Sequence, residues 1–372
     1  MDELGLPPAR FAIARIGHDD GGNLGHESSW RDHIRAPRGL HPGSLAPLRA
    51  PASGDCRRRR RATIIDAPPE PAGRADAEES VIAQAARERA RALTAAGLAG
   101  LARLLPAAAA SRLGGAALRL AGPHLRKHRH ILRNLTRVMP GATPAELHQT
   151  ACGVWRNLGS VIAEYPHLDR IVDERVTVTM PEPVRALLDS GRPAMFLTGH
   201  LANWEVLASY LGRRDPGMVV VYSPSDDPGL ERLIQQFRAP GGCEYVTKQE
   251  ALRKLTPAFL AGRSIGMLPD VRVDSGPGLP LFGADAPTTI SPPRIAARLG
   301  YPLVPVRTRR LGPARFEIDF EAPLRAHPDL TGKRAALDLM RQFNGVLERW
   351  IGERPDEWLC TKRRWPKQSG TG

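Results

Sequence analysis

From Tyr165 onward the chain alternates short apolar runs with longer helix-patterned stretches, and this alternation restricts the fold more than any other feature. The candidate strands are Val176–Met180, Ala194–Thr198, Met218–Tyr222, Glu244–Thr247, Ser264–Leu268, Leu303–Arg307 and Arg315–Phe320. The candidate helices are Pro183–Asp189, Asn203–Leu211, Gly229–Arg238, Lys248–Ala261, Ser291–Leu299 and Gly332–Ile351. Short apolar runs suit strands buried on both faces, and parallel strands need helical crossovers between them. The expected class is α/β, with a central, largely parallel sheet flanked by helices. No internal repeat interrupts this pattern.

Upstream the pattern is different. Residues 1–80 are rich in Pro, Gly, Arg and Asp without a helical or strand period, and read as a disordered basic tail. The run Arg57–Arg61 lies in it, either as a phosphate contact or as a solvated charge run. Residues 81–140 read as amphipathic, membrane-associating helices with a basic stretch. The segment Ala92–Gly122 is apolar and rich in small residues but carries Arg103, Pro106, Arg112 and Arg119. An arginine at the centre of a spanning helix costs about 2.5–3.5 kcal/mol on insertion scales. The reading is therefore a helical hairpin lying in the membrane interface. A single transmembrane anchor and an ordinary buried helix pair are the alternatives. His124–Arg137 follows with a basic cluster suited to anionic lipid. Thr143 and Glu146 form a capping box that opens a helix to about Glu164. Residues 141–366 form the α/β domain.

The formal net charge is +14, which favours an anionic partner: a membrane surface, an acidic carrier protein or nucleic acid. No nucleic-acid-binding signature accompanies the charge, so nucleic acid is not expected. Cys56, Cys152, Cys243 and Cys360 form no C-x-x-C pair, and no His/Cys spacing suggests a metal site. Reduced thiols and no metal are the expectation. The start MDELGLPPAR lacks a basic end followed by an apolar stretch, so no secretory signal is read there.

The chemistry concentrates in AMFLTGHLANWEVLASYLG, Ala194–Gly212. Here a strand ends at Gly199, His200 follows, and a helix begins near Asn203. Ligands in open α/β sheets bind at the carboxyl ends of strands. His200 and Glu205 are five residues apart, so they meet only if the histidine precedes the helix and the glutamate sits in its first turn. A carboxylate on one imidazole nitrogen leaves the other basic, the pairing that deprotonates an alcohol. The competing reading makes both residues capping groups.

H-L-A-N-W-E resembles the H-x-x-x-x-D/E motif of the lysophospholipid acyltransferase superfamily. Its Asn-Trp-Glu form is similar to the lauroyl/myristoyl (late) acyltransferases of lipid A biosynthesis. The resemblance runs from about Leu101 to Pro366 and takes in the basic segment near Asn134, Arg156–Tyr165, LGRRDPGMVVVYSPSDDPGLERLIQQFR, Gly266–Asp270, LPLFGADAPTTISPPRIAARLGYPLVPV and RPDEWLCTKRRWP. It implies transfer of a fatty acyl chain from acyl carrier protein, or less often coenzyme A, to a hydroxyl of a lipid A precursor or related glycolipid. The thioester is the donor substrate, and no cofactor is implied. It implies further that His200 is the general base and Glu205 its orienter, and that Arg238 stabilises the oxyanion. Asn203 would fix the turn or the acceptor. Asp270 would position an acceptor hydroxyl or pair with Arg238, and Lys248 would contact phosphate. The expected place is the cytoplasmic face of the bacterial inner membrane, peripheral or singly anchored. Ala202, Ser223, Val271, Cys360 and Lys362 depart from the family's usual residues, which puts the acceptor in question. The alternatives are another lipid acceptor, an acyl-CoA donor, or a non-catalytic membrane-binding module. Thioester hydrolysis would be a further reading, in which water would have to outcompete the lipid alcohol.

Overall fold

A computed structural model describes residues 74–366. Of the tail read over residues 1–80, residues 1–73, with Cys56 and Arg57–Arg61, lie outside the described residues. The helices are α1 (Arg74–Arg103), α2 (Ala107–Ala121), α3 (His128–Val138), α4 (Pro144–Glu164), α5 (Leu168–Glu174), α6 (Glu182–Asp189), α7 (Trp204–Arg214), α8 (Pro228–Arg238), α9 (Ala251–Leu260), α10 (Ser291–Arg298) and α11 (Gly332–Glu353). The strands are β1 (Val176–Thr179), β2 (Met195–Leu197), β3 (Val219–Tyr222), β4 (Glu244–Thr247), β5 (Ile265–Met267), β6 (Gly278–Leu281), β7 (Ala284–Pro287), β8 (Leu303–Gly312) and β9 (Arg315–Phe320).

Seven strands form one sheet in the order β1-β9-β8-β2-β5-β3-β4. Only the β8–β9 pair is antiparallel; all other pairs in this sheet are parallel. All seven candidate strands belong to it, so the expected class and the mostly parallel sheet hold. Alternate residues of the central strands enter opposite layers. Met195 and Leu197 join one buried cluster with α3, α4 and α11, while Ala194 and Phe196 join another with α5, α6 and α7. This two-sided burial explains why β2 and β5 read as unbroken apolar runs rather than alternating ones. The antiparallel hairpin β6–β7 was not among the candidate strands. Its sequence, GLPLFGADAP, carries prolines and glycines that argue against a central strand, and it pairs only with itself.

Of the helices before the sheet, α3 and α4 share a buried cluster with its central strands, while α1 lies against α8. Helix α1 begins at Arg74, inside the stretch read as tail. The α1–α2 break falls at Leu104–Pro106, where proline cannot continue the hydrogen-bond ladder. Helix α2 lies against α4 at backbone contact distance. A Cβ on Gly159 would stand 2.1 Å from the Gly114 carbonyl oxygen, and one on Gly122 would meet the Trp155 ring. The capping box of Thr143 and Glu146 opens α4 as expected. No described helix is long and apolar enough to cross a membrane.

The α2–α4 contact makes a testable claim. Gly159→Ala gains about 1 kcal/mol of helix propensity but forces two backbones apart, at a cost of about 1–3 kcal/mol. Thermal unfolding should show a lower midpoint for Gly159→Ala. Gly345→Ala in α11, where a Cβ meets open space, should show an unchanged or higher one.

Candidate active site

His200 stands three residues beyond the end of β2, and Asp270 three residues beyond the end of β5. These strands are parallel neighbours in register Leu197↔Met267, so their carboxyl ends open side by side. One carboxylate then holds two parts of the same residue. Asp270 Oδ2 accepts the His200 backbone N–H at 2.9 Å, and Oδ1 accepts from the ring Nδ1 at 2.8 Å. Trp358 Nε1 donates to Oδ2 at 3.0 Å. With its proton on Nδ1, the imidazole keeps Nε2 as a basic lone pair. The His200 side chain is 26% exposed and that of Asp270 only 2%.

Burial disfavours charge on His200. The Asp270 charge and hydrogen bond outweigh it, with a smaller contribution from Glu205, and raise the imidazole above its ordinary value. Lys362 opposes this rise. Burial likewise disfavours a charged Asp270, but His200, its backbone N–H and Trp358 hold the carboxyl below its ordinary value.

The expected Glu205–His200 hydrogen bond is not made. Glu205 lies in the first turn of α7, N-capped by Asn203, whose side chain accepts its N–H at 3.1 Å. From there the carboxylate turns toward α8, away from His200. It accepts Arg238 Nε at 2.9 Å and Nη2 at 2.7 Å, Tyr165 Oη at 2.9 Å and Trp204 Nε1 at 2.9 Å. Arg238, Tyr165 and Trp204 take up the Glu205 carboxylate, and the parallel neighbour strand brings another carboxylate to the His200 ring. Asp270 therefore takes the place expected for Glu205, and the expected alternative of an Asp270–Arg238 pair is likewise replaced. The Arg238 guanidinium sits between the Tyr222 and Tyr245 rings, 5.1 and 4.5 Å from their centroids.

The remaining candidates have separate places. Asn203 is fully buried and donates to Glu164 at 2.8 Å, so both ends of its amide are used within the fold. Lys248 is exposed at the end of β4, three strands from β2, or about 14 Å at ordinary strand spacing. Ala202, where glycine is usual in the resembling family, adopts a left-handed φ of 46° in the turn after His200. That conformation accounts for a glycine preference there.

Sequence reasoning missed the close of the site. The C-terminal segment lies over His200, with Leu359 N donating to the His200 carbonyl at 2.8 Å and Leu201 bridged to Trp358. Buried Asn134 on α3 pins the same segment, donating to the Cys360 and Lys362 carbonyls at 2.9 and 2.8 Å. The residues concerned stood in two quoted motifs, near Asn134 and at RPDEWLCTKRRWP, but only the fold joins them. Arg126, Lys127, Arg129, Arg133, Arg137, Lys362 and Arg363 make no ion pair among the described residues. Burial pushes the Cys360 thiol up to about 12, so it is a neutral packing group.

The two carboxylates are distinguishable by titration. Ring-nitrogen NMR should find His200 titrating above its ordinary value. Asp270→Asn should drop it below that value, because burial then acts without its main counter-charge; Glu205→Gln should lower it less. The stability from the pair should be fully present below about pH 6.5 and lost as pH rises through the raised His200 value. The Asp270 contribution has the opposite sign, fading as pH falls through its lowered value.

The sequence model of the family described as bacterial lipid A biosynthesis acyltransferase matches residues 84–367, which contain every site residue described above. Comparison with curated proteins finds no match. The family match covers well over half of the chain, and the chain belongs to the bacterial lipid A biosynthesis acyltransferases.

Proposed function

We propose that this acyltransferase moves a fatty acyl chain from acyl carrier protein to a hydroxyl of a lipid A precursor or related glycolipid, with His200 as general base. The observation that carries the reading is the His200–Asp270 pair, at the carboxyl ends of the central strands and within the family match. His200 Nε2 takes the hydroxyl proton as the oxygen attacks the thioester carbonyl. Asp270 fixes the Nδ1–H tautomer and stabilises the imidazolium. The tetrahedral intermediate collapses, the carbon–sulfur bond breaks, and the leaving thiolate takes the proton back from His200. Backbone N–H groups at the start of α7 that the Asn203 cap leaves unused are suited to the oxyanion. Arg238 gives two nitrogens to Glu205, so its part is to anchor that buried carboxylate beside the site.

The same reading places the protein on the cytoplasmic face of the inner membrane. Leu98, Leu101 and Leu104 of the α1 end and Leu113 and Leu120 of α2 are exposed, Leu104 at 81%. Arginines 103, 112 and 119 stand among them, able to reach lipid phosphates while the leucines enter the interface. The unpaired basic residues of α3 favour an anionic surface.

The activity test uses acyl carrier protein loaded with C12, C14 or C16 chains, a lipid A precursor, and mass spectrometry of the product. His200→Ala should lower kcat/KM by about 10³-fold or more and Asp270→Ala by about 10²-fold. Transfer only from acyl-CoA, or only to another lipid, would change the donor or acceptor; no transfer across a broad panel would favour a non-catalytic membrane-binding role. In vesicle flotation, binding to phosphatidylglycerol-rich vesicles should weaken with salt and fall in Leu101→Asp/Leu104→Asp. Equal binding to neutral vesicles at any salt would sink the anionic-surface reading.

A further inference from the structure

We propose that Glu164 is a positioning residue for the reaction: with Arg310 and Asn157, its buried carboxylate holds the 199–203 loop in the conformation that keeps His200 against Asp270. This rests on the acyl-transfer reading above.

Glu164 is the last residue of α4 and is 0% exposed. It accepts from Arg310 Nη1, from Arg310 Nη2 at 3.1 Å, from Ser111 Oγ at 2.6 Å and from Asn203 Nδ2 at 2.8 Å. Arg310 Nε donates to Asn157 Oδ1 at 3.1 Å. Asn157 Nδ2 in turn donates to the carbonyls of Ala202 at 2.9 Å and Glu357 at 3.2 Å. The network thus grips the loop at two consecutive residues, Ala202 through its carbonyl and Asn203 through its amide. Ala202 needs this grip, because an alanine does not choose a left-handed φ of 46° unaided. No member touches the His200 ring, so the network acts through the loop. Ser111 lies on α2, whose outer side carries the exposed Leu113 and Leu120, and brings that helix into the same network.

A buried ion pair contributes little net stability compared with an apolar pair of the same shape. Its retention beneath a catalytic loop is accounted for by the conformation it selects. Each of its donors also points to one arrangement: Arg310 from β8, Ser111 from α2 and Asn203 from the loop meet only at Glu164.

The test compares wild type with Glu164→Gln and Asn157→Ala in the full chain, using the acyl carrier protein assay, thermal unfolding and ring-nitrogen NMR of His200. Folded Glu164→Gln should lose about 10–100-fold in kcat, with KM for the acyl donor changed less than about 3-fold. His200 faces Asp270 after β5, Glu205 on α7 and Lys362 of the C-terminal segment, and all three remain in both variants. As the loop loosens from Asp270, the His200 titration should move downward. Wild-type kcat and an unmoved titration in the folded variant would overturn the proposal, even if the melting midpoint falls. Should Glu164→Gln not fold, Asn157→Ala removes only a neutral amide and must show the same kcat loss and the same titration shift. Absence of transfer by wild type would sink the functional reading instead, while the titration, which needs no substrate, still decides whether the network positions His200.

Discussion

A carboxylate buried away from water is tolerable only when its oxygens are met by donors and its charge by a counter-charge. Of the four buried carboxylates among the described residues, Asp270, Glu205 and Glu164 draw their donors from around the loop between β2 and α7, and the rest of the site follows from how each is satisfied. Asp270 takes His200 and Trp358, Glu205 takes Arg238, Tyr165 and Trp204, and Glu164 takes Arg310, Ser111 and Asn203. Each set of donors comes from several elements distant in sequence. The loop is therefore held from the sheet, from α8 and from α4 at once, while only the His200 ring remains partly open.

The sheet supplies the frame for this arrangement. Parallel strands end at the same level, so the residues following β2 and β5 meet without either strand bending. The C-terminal segment closes over the loop through backbone hydrogen bonds and the Leu201–Trp358 bridge. Asn134 ties that segment to α3, so the basic helix is joined to the chain that covers His200. In the proposed reaction this puts positive charge where a phosphorylated lipid or an acidic carrier would approach.

The two sides of α2 differ. One side of α2 is an ordinary packed helix face, with glycines that let it approach α4 at backbone distance. The other side leaves leucines exposed among arginines. In the proposed membrane association, the exposed leucines would enter the lipid interface while the packed side holds the α/β domain.

The sheet strands, their parallel character and the helices between them were legible in the chain, because periodicity and apolar run length report burial locally. Motif resemblance and position at strand or helix ends also singled out His200, Glu205, Asn203, Arg238 and Asp270, which the structure joins in hydrogen bonds around the loop after β2. Their partners were not legible. Glu205 was expected on His200 because they are close in sequence, yet Asp270, seventy positions away, makes that contact. Strand order decides this, since β2 and β5 are neighbours only once the sheet is assembled. The same holds for Glu164, which reads as a helix-end glutamate until Arg310, Ser111 and Asn203 converge on it. Local sequence determined which segments are strands and helices and which residue types stand at their ends. Tertiary structure alone decided which buried charge meets which, because desolvation forces every such group to find its partner in space.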